Sequence, residues 1–246
     1  MAETSVNPGT SLTPSMRAGM VLIAAIAWFA LLLQLFLMVR QAVPGSFLHA
    51  VINYFSFFTI LTNLLVALCT TLPWLVRYSG TGQFFLQPSI ESAIAVYIAV
   101  VGITYSLLLR HMWNPQGMQK LADVLLHDVV PVLYVVFWVF LVPKFSLRWS
   151  DAVRWLSYPL LYTAYTLARG FVVHWYPYHF IDVDTIGLPS ALLHTAGLLL
   201  TFFGLGLLFI AIGRWTARSA PALKNVSAKE QRIVLQCMKA TAAHVE

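Results

Sequence analysis

Apolar residues fall in six long blocks along this chain, at roughly 18–39, 51–76, 90–110, 121–142, 153–173 and 190–213. Each is near or above the ~20 residues that an α-helix needs to cross a bilayer. Breakers separate them: Pro44-Gly45-Ser46, Ser79-Gly80-Thr81-Gly82, Trp113-Asn114-Pro115-Gln116-Gly117, Lys144 to Ser150, and Tyr176-Pro177-Tyr178 through Pro189. The pattern predicts an all-α polytopic membrane protein, a six-transmembrane-helix bundle with short connections over 18–213. Residues 1–17 form an N-terminal segment and 214–246 a basic tail. The first block is too long for the apolar region of a signal peptide and no small-x-small site closes it, so it is read as a transmembrane helix.

Composition excludes the alternatives. Hydrophobic residues make up 59% of the chain and charged ones 10%, against about 25% charged in soluble domains. Cys69 and Cys237 are the only cysteines, so no disulfide framework is implied. The net charge of +6 would suggest a polyanion partner in a soluble protein. Here it reads as topology. Of the 15 Lys and Arg residues, eleven fall on the side holding both termini, and Arg40, Arg110, Lys120 and Arg169 on the other. That bias puts both termini in the cytoplasm. A nucleic-acid partner is not expected, the expected partner being a membrane lipid or fatty-acyl substrate. A stretch around Lys229–Lys239 has the pattern of a short amphipathic helix, with a solvated tail as the alternative. Asn225-Val226-Ser227 matches a glycosylation acceptor but falls on the cytoplasmic side.

Polar groups inside spans cost free energy, so their positions are informative. In the second block Asn53, Ser56, Thr59 and Asn63 recur at helical spacing, with Thr62 beside them. Thr59 then lies roughly 12 Å along its helix from the outer end, and His127 of the fourth block about 9 Å in. Tyr105 and Arg110, Tyr162, Tyr165 and Arg169, His194, and Gln34 of the first block point to the same end. An outer-leaflet pocket is expected, with Thr70, Thr71 and Glu91 the main polar residues of the other half. Trp113, Trp149, Trp155, Trp175 and Tyr176 read as an interfacial belt.

The richest segment is Asp123-Val124-Leu125-Leu126-His127-Asp128-Val129-Val130-Pro131. Asp123 lies one helical turn before His127, so its carboxylate can orient the imidazole. Pro131 has no N–H, which frees the His127 carbonyl and predicts a kink. A histidine oriented by an acid beside a hydroxyl is the arrangement of nucleophilic acyl transfer. Thr59 is the best-placed hydroxyl, with Thr62 and Ser56 as rivals. G-x-S-x-G, H-E-x-x-H, paired C-x-x-C and phosphate-cradling glycine loops are all absent.

The stretches Phe57-Phe58-Thr59-Ile60-Leu61-Thr62-Asn63, Trp113-Asn114-Pro115-Gln116-Gly117, Asp123 through Pro131 and Tyr176-Pro177-Tyr178-His179-Phe180-Ile181-Asp182 resemble the bacterial branch of the androgen-induced protein family of multi-pass membrane threonine hydrolases. The resemblance runs from the first span to the sixth. Animal members cleave fatty acid esters of hydroxy fatty acids with an intramembrane Thr and His. The resemblance implies Thr59 as nucleophile and His127 as base, in a bacterial inner-membrane protein.

The sequence thus leads to an intramembrane lipid-ester hydrolase with no cofactor or metal. Thr59, His127 and Asp123 (or Asp128) would be the catalytic set. Asn63, Tyr105 and Arg169 are candidate oxyanion donors, and Tyr165, His194 and Asp128 complete the binding set. Two rival classes remain: a metal or haem protein built on His49, His127, His194 and Asp128, and a non-catalytic lipid-binding or accessory membrane protein.

Overall fold

The computed structural model describes residues 12–76, 78–144 and 146–218, so the expected tail helix, Asn225-Val226-Ser227 and Cys237 lie outside the described residues. α1 (Pro14–Gln41) starts where Thr13 caps it, its hydroxyl accepting from the Met16 N–H at 3.2 Å, with Pro14 in the first turn.

The second apolar block is two helices. α2 (Phe47–Tyr54) and α3 (Phe58–Leu75) are separated by Phe55, Ser56 and an extended Phe57. Tertiary bonds stabilise the break. The Ser56 carbonyl, which has lost its helical donor, accepts from Tyr162 Oη at 2.9 Å, while the Ser56 hydroxyl turns back to Ile52 O at 2.8 Å. Thr59 is therefore the second residue of a helix, and the continuous face expected from Asn53 to Asn63 does not exist. The matched depths of Thr59 and His127 lapse with it.

A short α4 (Gly80–Phe85) leads to α5 (Pro88–Thr104), which ends in a π-helical turn at Tyr105–Leu109. α6 (Gly117–Val124) passes through a second π-helical turn, Leu125–Val129, into α7 (Val130–Leu141). Pro131 acts here as expected, although the result is a wide turn rather than a simple kink. The His127 carbonyl lies against Gly102 of α5, where a Cβ would sit 3.1 Å from it.

The fifth block also divides, into α8 (Asp151–Trp155) and α9 (Ser157–Val173). Pro159 supplies no N–H to Trp155, whose carbonyl instead accepts from Tyr97 Oη at 2.6 Å. α9 stops at His174, which takes a left-handed conformation at φ 50°. A 3₁₀ turn (His179–Ile181) and α10 (Val183–Ile186), capped by Asp182, precede α11 (Leu188–Arg218).

Five helical runs are long and apolar enough to cross a membrane: Pro14–Gln41, Phe58–Leu75, Pro88–Leu109, Gly117–Leu141 and Leu188–Ala217. The described residues contain no strand. α5 is buried on nearly every side from Glu91 to Ile98, and α1 and α3 meet their neighbours through buried Ala24, Ala27, Ala30 and Ala67. Small residues let helix backbones approach where lipid gives little hydrophobic drive to associate.

Candidate active site

The broken second block puts the first turn of α3 at the junction of two cavities. The larger, about 430 Å³, is lined by Thr59, His127, Asp123, Tyr105 and Gln34 among others. The second is a narrow cleft of about 70 Å³ walled by Val100, Val101, Leu198, Leu199 and Phe202. Thr59, Tyr105, Leu109 and Tyr178 line both. Thr59 is thus a hydroxyl between a polar chamber and an apolar one, itself only 8% exposed.

His127 is held on three sides. Its Nδ1 lies 3.0 Å from the Asp123 carbonyl oxygen and 3.1 Å from Asp123 Oδ1. The carbonyl contact has the hydrogen-bond geometry, whereas Oδ1 lies off line and serves as a nearby charge. Tyr105 stacks on the imidazole with ring centroids 3.9 Å apart, and its hydroxyl donates to Asp123 Oδ2. With Nδ1 turned back to its own helix as a donor, Nε2 is the basic nitrogen of the tautomer this arrangement favours. The π-helical turn widens the helix here, as such turns often do at functional sites.

Asn63 ties the two halves together. Its Nδ2 donates to the Thr59 carbonyl at 2.9 Å and to Leu126 O, next to His127, at 3.2 Å. With both amide hydrogens committed to backbone, Asn63 is a strut and not an oxyanion donor. Tyr105 is also withdrawn from that role, because its hydroxyl serves Asp123.

Tyr178 comes from the loop before the 3₁₀ turn. Its hydroxyl accepts from the Thr59 N–H at 3.3 Å and lies 3.4 Å from Thr59 Oγ1. Burial pushes its phenol above the ordinary tyrosine range, so it stays protonated at neutral pH. The loop depends on Gly170, since a Cβ there would fall 1.9 Å from the Tyr176 ring. Sequence reasoning missed Tyr178. The signal is an aromatic cluster following a helix end, a pattern that by itself looks like an interfacial belt of the kind expected for Trp175 and Tyr176. Instead Trp175 lies under Arg169, whose Cζ is 4.8 Å from the ring centroid, and Tyr176 is buried.

Several expected site residues lie elsewhere. Arg169 donates to Asn53 Oδ1 at 2.7 Å and lines neither cavity, so it stitches α9 to α2. Tyr165 meets the Ser56 hydroxyl at 3.1 Å, and His194 Nδ1 meets Phe180 O at 2.9 Å. Asp128 pairs with Arg110, which leaves Asp123 as the acid beside His127. The rival hydroxyls are occupied, Thr62 with Tyr158 at 3.2 Å and Ser56 by its own helix. No hydrogen bond joins Thr59 directly to His127 among the described residues; the cavity they share connects them. No group of three or more His, Cys, Asp or Glu side chains that could hold a metal ion occurs among the described residues.

Comparison with family models, curated proteins and solved structures returned no match.

Proposed function

We propose that the chain is an intramembrane lipid-ester hydrolase, as the resemblance to the threonine hydrolases implies. The observation that carries the reading is the junction: one buried hydroxyl, Thr59, borders both a chamber holding His127 with the Asp123 carboxylate beside it and an apolar cleft. Acyl carbons beside the ester enter the cleft and the rest of the substrate occupies the chamber. His127 Nε2, through a hydrogen bond formed when substrate closes the chamber or through one water, accepts the Thr59 proton as Oγ1 attacks the carbonyl carbon. It returns that proton to the leaving alcohol. Water then attacks the acyl-threonine, His127 taking its proton and handing it to Thr59 Oγ1 as the acyl–oxygen bond breaks, and the fatty acid leaves. Asp123 supports the imidazolium in both steps.

An oxyanion needs donors, and the break before α3 supplies them. The first-turn N–H groups of a helix have no partners within it and stand at its positive end. Thr59 belongs to that turn. The Thr59 N–H, which donates to Tyr178 Oη in the free protein, takes the role from Asn63, Tyr105 and Arg169 when the ester oxygen displaces that hydroxyl. In this reading the α8–α9 segment makes a further crossing, the Lys and Arg bias favours both termini on the cytoplasmic side, and the resemblance implies a bacterial inner membrane.

Fluorophosphonate labelling of the purified chain in detergent tests this reading. Wild type is expected to label, while Thr59→Ala and His127→Ala lose labelling and Thr62→Ala keeps it. If Thr59→Ala and His127→Ala label as strongly as wild type, the threonine-hydrolase reading is wrong.

A further inference from the structure

The polar lining of the larger cavity is unusual in kind. Gln34, Gln41 and Gln119 share it with Asp123, His127 and His179. Gln119 Nε2 donates to Gln34 Oε1 at 2.8 Å, which leaves the second Gln119 N–H and the Gln34 amide hydrogens for a ligand. An amide both donates and accepts, as an alcohol hydroxyl does. A phosphate or carboxylate only accepts, and it brings a charge whose burial is costly without a cation.

The four basic residues assigned to this end are all committed or turned away. Arg110 is paired with Asp128, Arg169 is bound to Asn53 above Trp175, and Arg40 and Lys120 are exposed outside the lining. Among the described lining residues the one fixed charge is the Asp123 carboxylate, which repels an anion. Arg169, expected from the sequence as an oxyanion donor, is absent from the chamber for a physical reason: it holds the α2–α9 seam.

We infer that the head group taken by this site is a neutral polyol, so that the substrate is a monoacyl ester such as a monoacylglycerol. Its hydroxyls meet Gln34 and Gln119, its ester reaches Thr59, and the acyl carbons next to the ester enter the cleft of Val100, Leu198 and Phe202. The inference rests on the hydrolase reading for the cleavage step but on the lining alone for the choice of head group.

The test uses the full chain in uncharged detergent with two ligands, 1-oleoylglycerol and 1-oleoyl lysophosphatidic acid. They share the acyl chain and the glycerol and differ by one phosphate. Half-maximal thermal stabilisation is expected at an at least about tenfold lower concentration of the glyceride. Oleate release should follow the same preference. Gln119→Lys, which places a cation in the lining, should narrow the gap to about threefold or less. Equal or tighter binding of the lysophosphatidate by wild type, or binding of neither, overturns the head-group assignment. Glyceride binding without hydrolysis sinks the hydrolase reading and leaves the assignment standing. Hydrolysis with the lysophosphatidate preferred does the reverse.

Discussion

The two ends of the bundle use polar residues in opposite ways. At the Thr59 end they surround open space: His127, Asp123, Tyr105 and Gln34 line a chamber. At the Glu91 end they clamp helices together. Trp138 donates to Ser92 at 2.8 Å, Trp155 to Ser89 at 3.1 Å and Trp28 to Thr71 at 3.1 Å, while Cys69 meets Tyr134 at 3.2 Å. Sequence reasoning counted few polar groups there and overlooked Ser89 and Ser92, because a serine facing a tryptophan N–H cannot be told from any other serine. The difference is one of space: at the Thr59 end the polar groups border cavities, whereas at the Glu91 end most of them bond one helix to another. Both π-helical turns and the α2–α3 break lie at the Thr59 end. Glu91 is the exception at its own end, fully buried with neither carboxylate oxygen hydrogen-bonded. Lys144 at the same end is likewise buried, its Nζ held by Val139 O and Val142 O at 2.9 and 2.8 Å.

Substitutions should separate the two ends, activity from stability. The largest effect is expected at Asp123→Asn, which removes the charge beside His127. Labelling and ester hydrolysis should fall about 10²- to 10⁴-fold with little change in melting temperature. An Asp123→Asn chain that stays within threefold of wild type would show that the carboxylate is structural, like the clamps of the other end.

Trp138→Ala should do the opposite. It empties a fully buried site and removes the donor to the Ser92 hydroxyl, which keeps its own bond to Pro88 O, costing about 3–5 kcal/mol of stability. The labelling rate of the folded fraction should be unchanged.

Tyr178→Phe comes next, since it removes a hydroxyl beside Thr59 and keeps the ring. The labelling rate should drop about tenfold without loss of stability. Gly170→Ala should reproduce that drop indirectly by displacing Tyr176, and cost about 1–3 kcal/mol as well.

A further effect concerns pH. Burial lowers the Lys144 ammonium from 10.5 to about 8, with the Glu91 charge pulling the other way. Between those values the unfolded chain holds a proton that the folded chain has released. Stability from this group should therefore rise as pH increases from about 8 towards 10.5. Melting curves of wild type and Lys144→Met across that interval should converge as pH rises; parallel curves would show that Lys144 is as well solvated folded as unfolded.

Sequence by itself determined the class of the protein and the separate pieces of the site. Apolar runs of bilayer length specify helices wherever they occur, because each backbone group must be satisfied within its own segment. Likewise the Asp123–His127 spacing and Pro131 act over one helical turn, so they were legible as local facts. Only tertiary structure decided how the pieces meet. Ser56 and Trp155 give their carbonyls to Tyr162 and Tyr97, residues 106 and 58 positions away. Those bonds divide two apolar blocks that hydropathy reads as continuous. The first division makes Thr59 the start of a helix. Arg169 and Asn63 then lose their expected roles to partners that no local pattern reveals, while Tyr178 gains one across 119 positions. A buried polar group takes whichever partner the packed chain brings within reach, and that choice is set by the fold as a whole.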